Sequence, residues 1–217
     1  MEFISDELTA YIEQHSQDEP ALLADLSRET WQKVLAPRML SGHFQGRVLA
    51  MLSKLVRPQA ILEIGTYTGY ATLCLAEGLP KSGLIHTVDH NEELRSLQQK
   101  YFDKSPYSTQ IKAYTGDALG VIPQIKTQFD LVFIDADKKN YSNYFDAVIE
   151  KMNPGGIIIS DNVLWSGKVL KEAEAKDIDT QVLKAYNKRL KEDARIETVV
   201  LPIRDGLTVS RVRDDIE

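Results

Sequence analysis

Side chains that could bind a metal ion follow two apolar segments of the chain. Asp135 comes directly after the apolar run DLVFI, and Asp161 and Asn162 come directly after the run GIIIS. Carboxylate and amide oxygens, with no histidine or cysteine among them, are the ligands that hard cations prefer. The set is therefore predicted to bind Mg²⁺, with Mn²⁺ or Ca²⁺ as alternatives and zinc disfavoured. A competing interpretation of Asp161 and Asn162 is a turn or a helix cap, where both residue types are common.

Lys138, which follows Asp135 closely, could take part in proton transfer at such a site. A hydroxyl that contacts a divalent cation loses its proton more easily, and a nearby lysine can accept that proton or stabilise the oxyanion. Both roles stay open at this point. Asp137 could support the site or face a substrate, and Trp165 could pack on an aromatic acceptor or anchor its own loop. Lys139 is expected to be a solvated surface charge.

A glycine-containing segment, EIGTYTGYATL, follows the first apolar run of the alternating part of the chain. Gly65 and Gly69 predict a turn from a strand into a helix, which places backbone N–H groups at the carboxyl edge of a sheet. A nucleotide-like cofactor is the natural ligand there. A dinucleotide-binding loop would carry glycine at position 67, where this chain has Tyr67, so NAD, FAD and a dehydrogenase activity are disfavoured.

Acidic residues around this loop indicate a nucleoside that carries positive charge and no phosphate. Glu63 suits a cationic ligand, and Asp89, at the end of the second apolar run, could accept both hydroxyls of a ribose. The segment GDAL would place Asp117 and Ala118 beside an adenine. S-adenosylmethionine (SAM) combines these properties and is the predicted cofactor. The alternative is a tight turn with solvated acids at the strand ends.

Apolar periodicity predicts the elements that carry these side chains. Three helices are expected first, at 5–16, 20–35 and 44–56. Short apolar runs then alternate with segments long enough to hold helices, at 60–64, 84–88, 110–114, 130–134 and 156–160. This alternation is typical of a parallel sheet with helices on both faces.

The last apolar runs, 196–203 and 207–213, are separated by only three residues. So short a connection permits only an antiparallel hairpin. The predicted fold class is α/β, a Rossmann-like sheet of seven strands with the last antiparallel, preceded by N-terminal helices. We expect strands four and five to lie close together, which would bring Asp135, Asp161 and Asn162 to one edge beside the cofactor.

Composition narrows the function classes. The 217-residue chain has a net charge of −6 and a pI near 5.3, which argues against a generic nucleic-acid-binding surface. Cys74, the single cysteine, fits a reducing compartment. The N-terminal residues lack signal-peptide features, and no apolar run approaches the ~20 residues that span a bilayer.

We expect a cytoplasmic, single-domain protein over 1–217. Its helical cap, at 1–57, is expected to contact a partner subunit or substrate, and its Rossmann-like core lies at 58–217.

Motifs along most of the chain give it a family resemblance. From about residue 39 to residue 213 they are, in order, GHFQGRVLAML, LEIGTYTGYATL, VDHNEE, FIDADKKNY, SDNVLWSG and LPIRDGLTVSR. In these segments the chain resembles the cation-dependent class I O-methyltransferases, which include caffeoyl-CoA and catechol O-methyltransferases and many bacterial relatives. The resemblance implies a SAM-dependent transfer of a methyl group to an oxygen, and it implies a homodimer.

The resemblance also assigns residues to roles. It implies that Asp135, Asp161 and Asn162 hold the metal and that Lys138 is the catalytic lysine. The residues that it places in the SAM site are Met39, Ser41, Glu63, Gly65, Asp89 and Ala118, to which we add Thr66, Thr68, Asp117 and Asp135. Plant relatives carry a serine where this chain has Ala71, so one hydrogen bond to the cofactor is in doubt. The charged stretch 166–180 fits a mobile lid better than a defined acceptor pocket.

The acceptor is expected to be a small catechol-like molecule with vicinal hydroxyl groups on an aromatic ring. One alternative is the methylation of a hydroxylated uridine in tRNA, for which a dimer would need a basic groove. Residues that could build such a groove are Arg28, Lys33, Arg38 and Arg47. An alternative of another class is a noncatalytic SAM-binding protein, which loss of the metal ligands or of Lys138 would favour.

Overall fold

One seven-stranded sheet organises residues 4–214, the part of the chain that the computed structural model describes. Its strands are β1 (Ala60–Ile64), β2 (Leu84–Asp89), β3 (Ile111–Thr115), β4 (Phe129–Ile134), β5 (Met152–Ser160), β6 (Ile196–Leu201) and β7 (Leu207–Val212). They are arranged in the order β3-β2-β1-β4-β5-β7-β6. The first five strands pair in parallel, and β7 pairs antiparallel with β5 and with β6. The predicted α/β fold and the adjacency of β4 and β5 are confirmed.

Helices precede the sheet and connect its strands. The α-helices are α1 (Asp6–Gln14), α2 (Ala21–Lys33), α3 (Gly42–Val56), α4 (Tyr70–Ala76), α5 (Arg95–Lys104), α6 (Ala118–Val121), α7 (Tyr141–Ile149) and α8 (Ile178–Glu192). Short 3₁₀ segments are Pro37–Met39, Glu92–Leu94, Ile122–Gln124, Lys138–Asn140 and Trp165–Leu170. Within residues 4–214, none of the helices combines the length and the apolar character that a membrane span requires.

Alternating side chains of the strands build a core on each face of the sheet. On β4, Val132 and Ile134 pack with residues of α7 and α8, whereas Leu131 and Phe133 pack with residues of α2, α3 and α4. This alternation is the period-two geometry of a strand. Helices α2 and α3 therefore pack on one face of the sheet.

Two strand boundaries differ from the sequence prediction by more than one residue. Strand β5 begins at Met152, before the predicted start at residue 156, because Met152 already pairs with β4 ahead of an irregularity in the ladder, where Gly155 has a left-handed φ of 75°. Strand β6 ends at Leu201, before the predicted residue 203, where Pro202 follows and cannot donate a ladder hydrogen bond.

Glu29 connects α2 to α5. Its carboxylate accepts hydrogen bonds from Lys100, from Lys33 at 2.9 Å and from the Tyr101 hydroxyl at 2.8 Å. These contacts, that of Lys100 foremost, lower the pKa of Glu29 from 4.5 to about 2. Because the pKa is lower in the folded protein, the stabilisation is present above pH 4.5 and is lost as the pH falls towards 2.

The variant Glu29→Gln is accordingly expected to unfold at lower urea concentration than the parent at pH 7. The gap between the two unfolding midpoints should shrink between pH 5 and pH 3, because the parent then loses the stabilisation that the variant lacks. Urea titrations at pH 7, 5, 4 and 3 measure this, with the exposed Glu93→Gln as the control. A gap that stays constant over this range would contradict the ionic role of Glu29.

Candidate active site

The carboxyl ends of β4 and β5 meet at one edge of the sheet. Ile134 lies opposite Ser160, and the backbone N–H of Asp161 donates to the carbonyl oxygen of Ile134 at 2.9 Å. Asp135 and Asp161, the first residues after these strands, therefore lie side by side. Asn162 follows with a left-handed φ of 59°. The structure thus brings together the three residues that were predicted to hold a metal ion.

Lys138 lies against this group of oxygen atoms. Its Nζ is 2.7 Å from Oδ1 of Asn162, 3.4 Å from Oδ1 of Asp135 and 2.6 Å from the hydroxyl of Tyr141. The side chain is only 9% exposed, so this ammonium group is held in one place by buried partners. Tyr141 in turn donates to the carbonyl oxygen of Asp161 at 2.9 Å, and the burial of its ring raises the pKa of its hydroxyl. The Lys138 nitrogen therefore lies among several oxygen atoms that could also coordinate a cation.

The carboxylate of Asp161 is buried and accepts a hydrogen bond on each oxygen. Gln45 Nε2 donates to Oδ2 at 2.6 Å, and the backbone N–H of Asn162 donates to Oδ1 at 2.6 Å. Burial, and then the negative charge of Asp135, raise the pKa of Asp161 above its usual range. Such a carboxylate is more stable in its charged form beside a cation, so the donor set fits a divalent ion.

Oxygen ligands from two carboxylates and one amide make up this set. Over residues 4–214 there is no group of three His, Cys, Asp or Glu side chains that could hold a metal. The third predicted ligand is instead an amide, that of Asn162, whose Oδ1 lies 2.7 Å from the Nζ of Lys138. A harder, oxygen-only site of this kind suits Mg²⁺, Mn²⁺ or Ca²⁺ better than zinc.

The glycine loop packs directly against the end of β4. Gly65 has φ of 100°, and a Cβ atom there would lie 1.9 Å from the carbonyl oxygen of Asp135. Only glycine fits at this position, which keeps the loop within reach of the predicted metal ligands. The hydroxyls of Thr66 and Thr68 bond to those of Thr87 and Thr30, and both residues are buried, so these side chains hold the loop against the core.

Glu63 is completely buried below this loop. Its Oε2 accepts hydrogen bonds from the hydroxyls of Thr72 and Thr87, whereas its Oε1 has no partner among the described residues. Burial raises the pKa of Glu63 to about 8. An orphaned acceptor of this kind fits a ligand that brings a positive charge or a donor, as SAM does.

Two further predicted cofactor residues lie at the neighbouring strand ends. Asp89 accepts the backbone N–H groups of Tyr67 at 2.6 Å and Asn91 at 2.8 Å, one on each carboxylate oxygen. Asp117 caps α6 through the backbone N–H of Leu119 at 3.3 Å. Ala118, at the start of the same helix, is buried. Each carboxylate is therefore oriented by backbone donors and keeps lone pairs for a ligand.

A cavity of about 620 Å³ opens between the N-terminal helices and the strand ends. It is lined by Trp31 and Phe44, by Ser41 and Gln45, and by Asn162, together with residues of α1 and of the β6–β7 connection. An aromatic molecule could therefore reach the predicted metal ligands from this side. A second cavity, of about 730 Å³, lies near the amino ends of β1, β2 and β4, away from these residues.

Three further residues predicted from sequence have side chains outside the hydrogen-bonded group around Asp161. The side chain of Met39 is 62% exposed. The carboxylate of Asp137 accepts hydrogen bonds from Tyr144 at 2.5 Å and Asn140 at 2.6 Å. Trp165 packs against the core on the α8 side, with the Lys138 Nζ 6.0 Å from its ring centroid. Trp31 and Phe44, which line the cavity, were missed because no local pattern distinguishes them from other helical aromatic residues.

The basic residues considered for a tRNA-binding groove are mostly paired with acids. Arg28 bonds to Asp25, Lys33 bonds to Glu29, and Arg47 is 10% exposed and bonds to Glu77. Arg38 lines the cavity described above. No specific observation on the described residues favours a nucleic-acid acceptor.

Comparison with known proteins gives concordant matches. A family model described as O-methyltransferase matches residues 13–213. The catechol O-methyltransferase of Niastella koreensis is 32% identical over 178 residues, which cover 78% of this chain and 80% of that protein. Caffeoyl-CoA O-methyltransferase 1 of Arabidopsis thaliana is 35% identical over an alignment of 224 residues, which covers 95% of this chain and 85% of that protein. The solved structure of the O-methyltransferase from Bacillus cereus in complex with SAH has a TM-score of 0.88 at 26% identity, covering 95% of this chain and 97% of that chain.

Proposed function

Since the chain belongs to the O-methyltransferase family, we propose that it transfers the methyl group of SAM to a hydroxyl of a small catechol-like acceptor and depends on a divalent cation. The family membership carries the reaction type, a SAM-dependent O-methylation. The observation that supports the cation is the grouping of Asp135, Asp161 and Asn162 beside Lys138 at one sheet edge. Mg²⁺ is the ion that this donor set suits best.

Each residue of this edge has a role in the proposed reaction. Asp135, Asp161 and Asn162 would hold the ion, which when bound would favour ionisation of an acceptor hydroxyl. Lys138 would either accept the hydroxyl proton, for which its Nζ must be neutral, or stabilise the oxyanion as an ammonium group while the proton leaves to water. The acceptor oxygen attacks the methyl carbon in line with the sulfur, so the C–O bond forms as the C–S bond breaks. The products are a methyl ether and S-adenosylhomocysteine.

The remaining residues position the two substrates. Glu63 and Asp89 would bind SAM, Glu63 through its orphaned Oε1 and Asp89 through its free lone pairs. The close packing of Gly65 on Asp135 would keep the methyl donor next to the proposed metal ligands. Trp31 and Phe44 would pack on the aromatic ring of the acceptor inside the cavity. The homodimer and the cytoplasmic location implied by the sequence stay predictions.

The direct test is an incubation of the purified protein with SAM and 3,4-dihydroxybenzoate or caffeate, with Mg²⁺ or with EDTA. Mass spectrometry should detect a singly methylated product with Mg²⁺ and none with EDTA. Product that persists in EDTA would refute the cation dependence. SAM binding without methylation of any catechol would refute the acceptor class, and bulk tRNA would be the next acceptor to assay.

Trp31→Ala is expected to raise the KM for the catechol acceptor by about tenfold, because an aromatic contact in a binding site contributes on the order of 1 kcal/mol or more. The Kd for SAM should stay at the parental value, since Trp31 lines the acceptor cavity. Steady-state kinetics and calorimetry measure the two quantities. Trp165→Ala is the matched comparison, and a larger KM effect there than at Trp31 would place the acceptor on the other side of the site.

A further inference from the structure

Gln45 links the metal ligand Asp161 to a distant part of the chain. Its side chain is 1% exposed, and its two amide ends meet two partners of opposite kind. The amide nitrogen donates to Oδ2 of Asp161 at 2.6 Å, and the amide oxygen accepts from Nη1 of Arg204 at 3.4 Å. Arg204 belongs to the connection between β6 and β7, so three separate segments of the chain meet at one amide.

The chemistry of the partners allows only one orientation of this amide. A guanidinium group can only donate hydrogen bonds, and a carboxylate can only accept them. A reversed amide would place two donors face to face at Arg204 and two acceptors face to face at Asp161. Arg204 and Asp161 therefore favour the same orientation, in which Gln45 presents its N–H group to the carboxylate.

Arg204 is itself held in place by the N-terminal segment. The same Nη1 donates to the carbonyl oxygen of Leu40 at 2.8 Å and to that of Ser41, and the backbone of Arg204 adopts a left-handed φ of 48°. A residue other than glycine keeps this conformation only where its surroundings enforce it. The guanidinium group is thus anchored independently of Gln45 and can act as a fixed reference for it.

We infer that Gln45, oriented by Arg204, is a positioning residue that fixes the plane of the Asp161 carboxylate for metal binding. With Gln45 on Oδ2 and the Asn162 N–H on Oδ1, both oxygens are held and each keeps a lone pair for a cation. Residues that orient a metal ligand in this way contribute about 10- to 100-fold to metal affinity. The inference rests on the proposed function, because it presumes that Asp161 is a metal ligand.

The test measures Mn²⁺ affinity by electron paramagnetic resonance on the purified chain, which needs no turnover. Gln45→Met keeps the side-chain volume and removes the donor, so the Kd for Mn²⁺ should rise about 10- to 100-fold. The Kd for SAM in EDTA and the thermal unfolding midpoint should stay near the parental values. Gln110→Met is the matched control, because Gln110 donates to the carbonyl oxygens of Pro80 and Gly83 away from the site.

Arg204 variants test whether Arg204 influences metal binding through Gln45. Arg204→Met should weaken Mn²⁺ binding in the same direction by a smaller factor, and Arg204→Lys, which keeps a donor, should lie between it and the parent. The double variant of Gln45 and Arg204 should bind Mn²⁺ no more weakly than Gln45→Met alone, because coupled residues are not additive. If the double variant loses Mn²⁺ affinity by the two single effects combined, Arg204 does not act through Gln45.

The remaining outcomes separate the inference from the function on which it rests. A parent that binds Mn²⁺ and a Gln45→Met variant that binds it equally well would overturn the inference alone. The inference would also fail if Gln45→Met lost SAM affinity by the same factor as Mn²⁺ affinity and unfolded at a clearly lower temperature than the parent. Gln45 would then support the fold in general. A parent that binds no Mn²⁺ would refute the proposed cation dependence and with it the inference.

Discussion

The variant Asp161→Ala is expected to lose methyl transfer by at least about 10³-fold while it still binds SAM. A divalent ion contributes several kcal/mol of transition-state stabilisation, and each 1.4 kcal/mol corresponds to a factor of about ten in rate. Asp161 supplies one of the two carboxylates in the proposed ligand set and lies at the centre of its hydrogen bonds. Steady-state kinetics with a catechol acceptor and calorimetry with SAM measure the two expectations separately.

The control for this variant is Asp146→Ala. Asp146 lies on α7 and pairs with Arg189 at the surface, where an ion pair contributes little. Asp146→Ala should keep parental activity, so any loss that is specific to Asp161 cannot come from the removal of a carboxylate in general. Parental activity in Asp161→Ala would rule out this residue as a metal ligand, and a loss of SAM binding equal to the loss of rate would point to a damaged cofactor site.

Lys138→Met is expected to lower kcat by about 10²- to 10⁴-fold, which is the usual contribution of a positioned proton-transfer group. Its Nζ is the nearest cationic nitrogen that the structure places against Asn162 and Asp135, at 2.7 Å and 3.4 Å. Methionine keeps most of the side-chain volume, so the packing on Tyr141 should survive. Lys139→Met, which changes the exposed neighbouring lysine, is the matched control and should retain the parental kcat.

Lys138→Arg separates the two roles that the sequence left open. Arginine keeps the positive charge but does not release a proton in proteins, so it cannot act as a general base. Activity well above that of Lys138→Met would indicate that the residue stabilises the oxyanion through its charge. Activity as low as that of Lys138→Met at every pH from 6 to 9 would favour a general base. A parental kcat in Lys138→Met would remove the residue from the mechanism.

The residues of the site that sequence predicted best are those that follow a strand directly. In an α/β sheet the carboxyl ends of parallel strands share one edge, so Asp135 and Asp161 could be placed together before their contacts were known. Gly65 was placed by the same reasoning. The structure adds why no other residue fits at position 65, since the contact with the Asp135 carbonyl depends on the packing of β1 against β4.

The residues that sequence reasoning missed act across long separations in the chain. Gln45 and Asp161 are 116 positions apart, and Arg204 and Leu40 are 164 positions apart. No periodicity or spacing rule reports such contacts, because they depend on how α3 packs over the sheet and how the β6–β7 connection turns back towards it. Trp31 is a similar case, since its helical pattern resembles that of any surface helix.

The order of apolar runs and turn residues by itself determined the α/β fold, the parallel sheet and the row of polar side chains at its carboxyl edge. These properties are local, because strand period, hairpin length and the residue after a strand are set by near neighbours in the chain. Only the tertiary structure decided which side chains orient that row and which aromatic residues face it. It did so because burial and hydrogen bonding between distant segments are settled when the helices pack on the sheet.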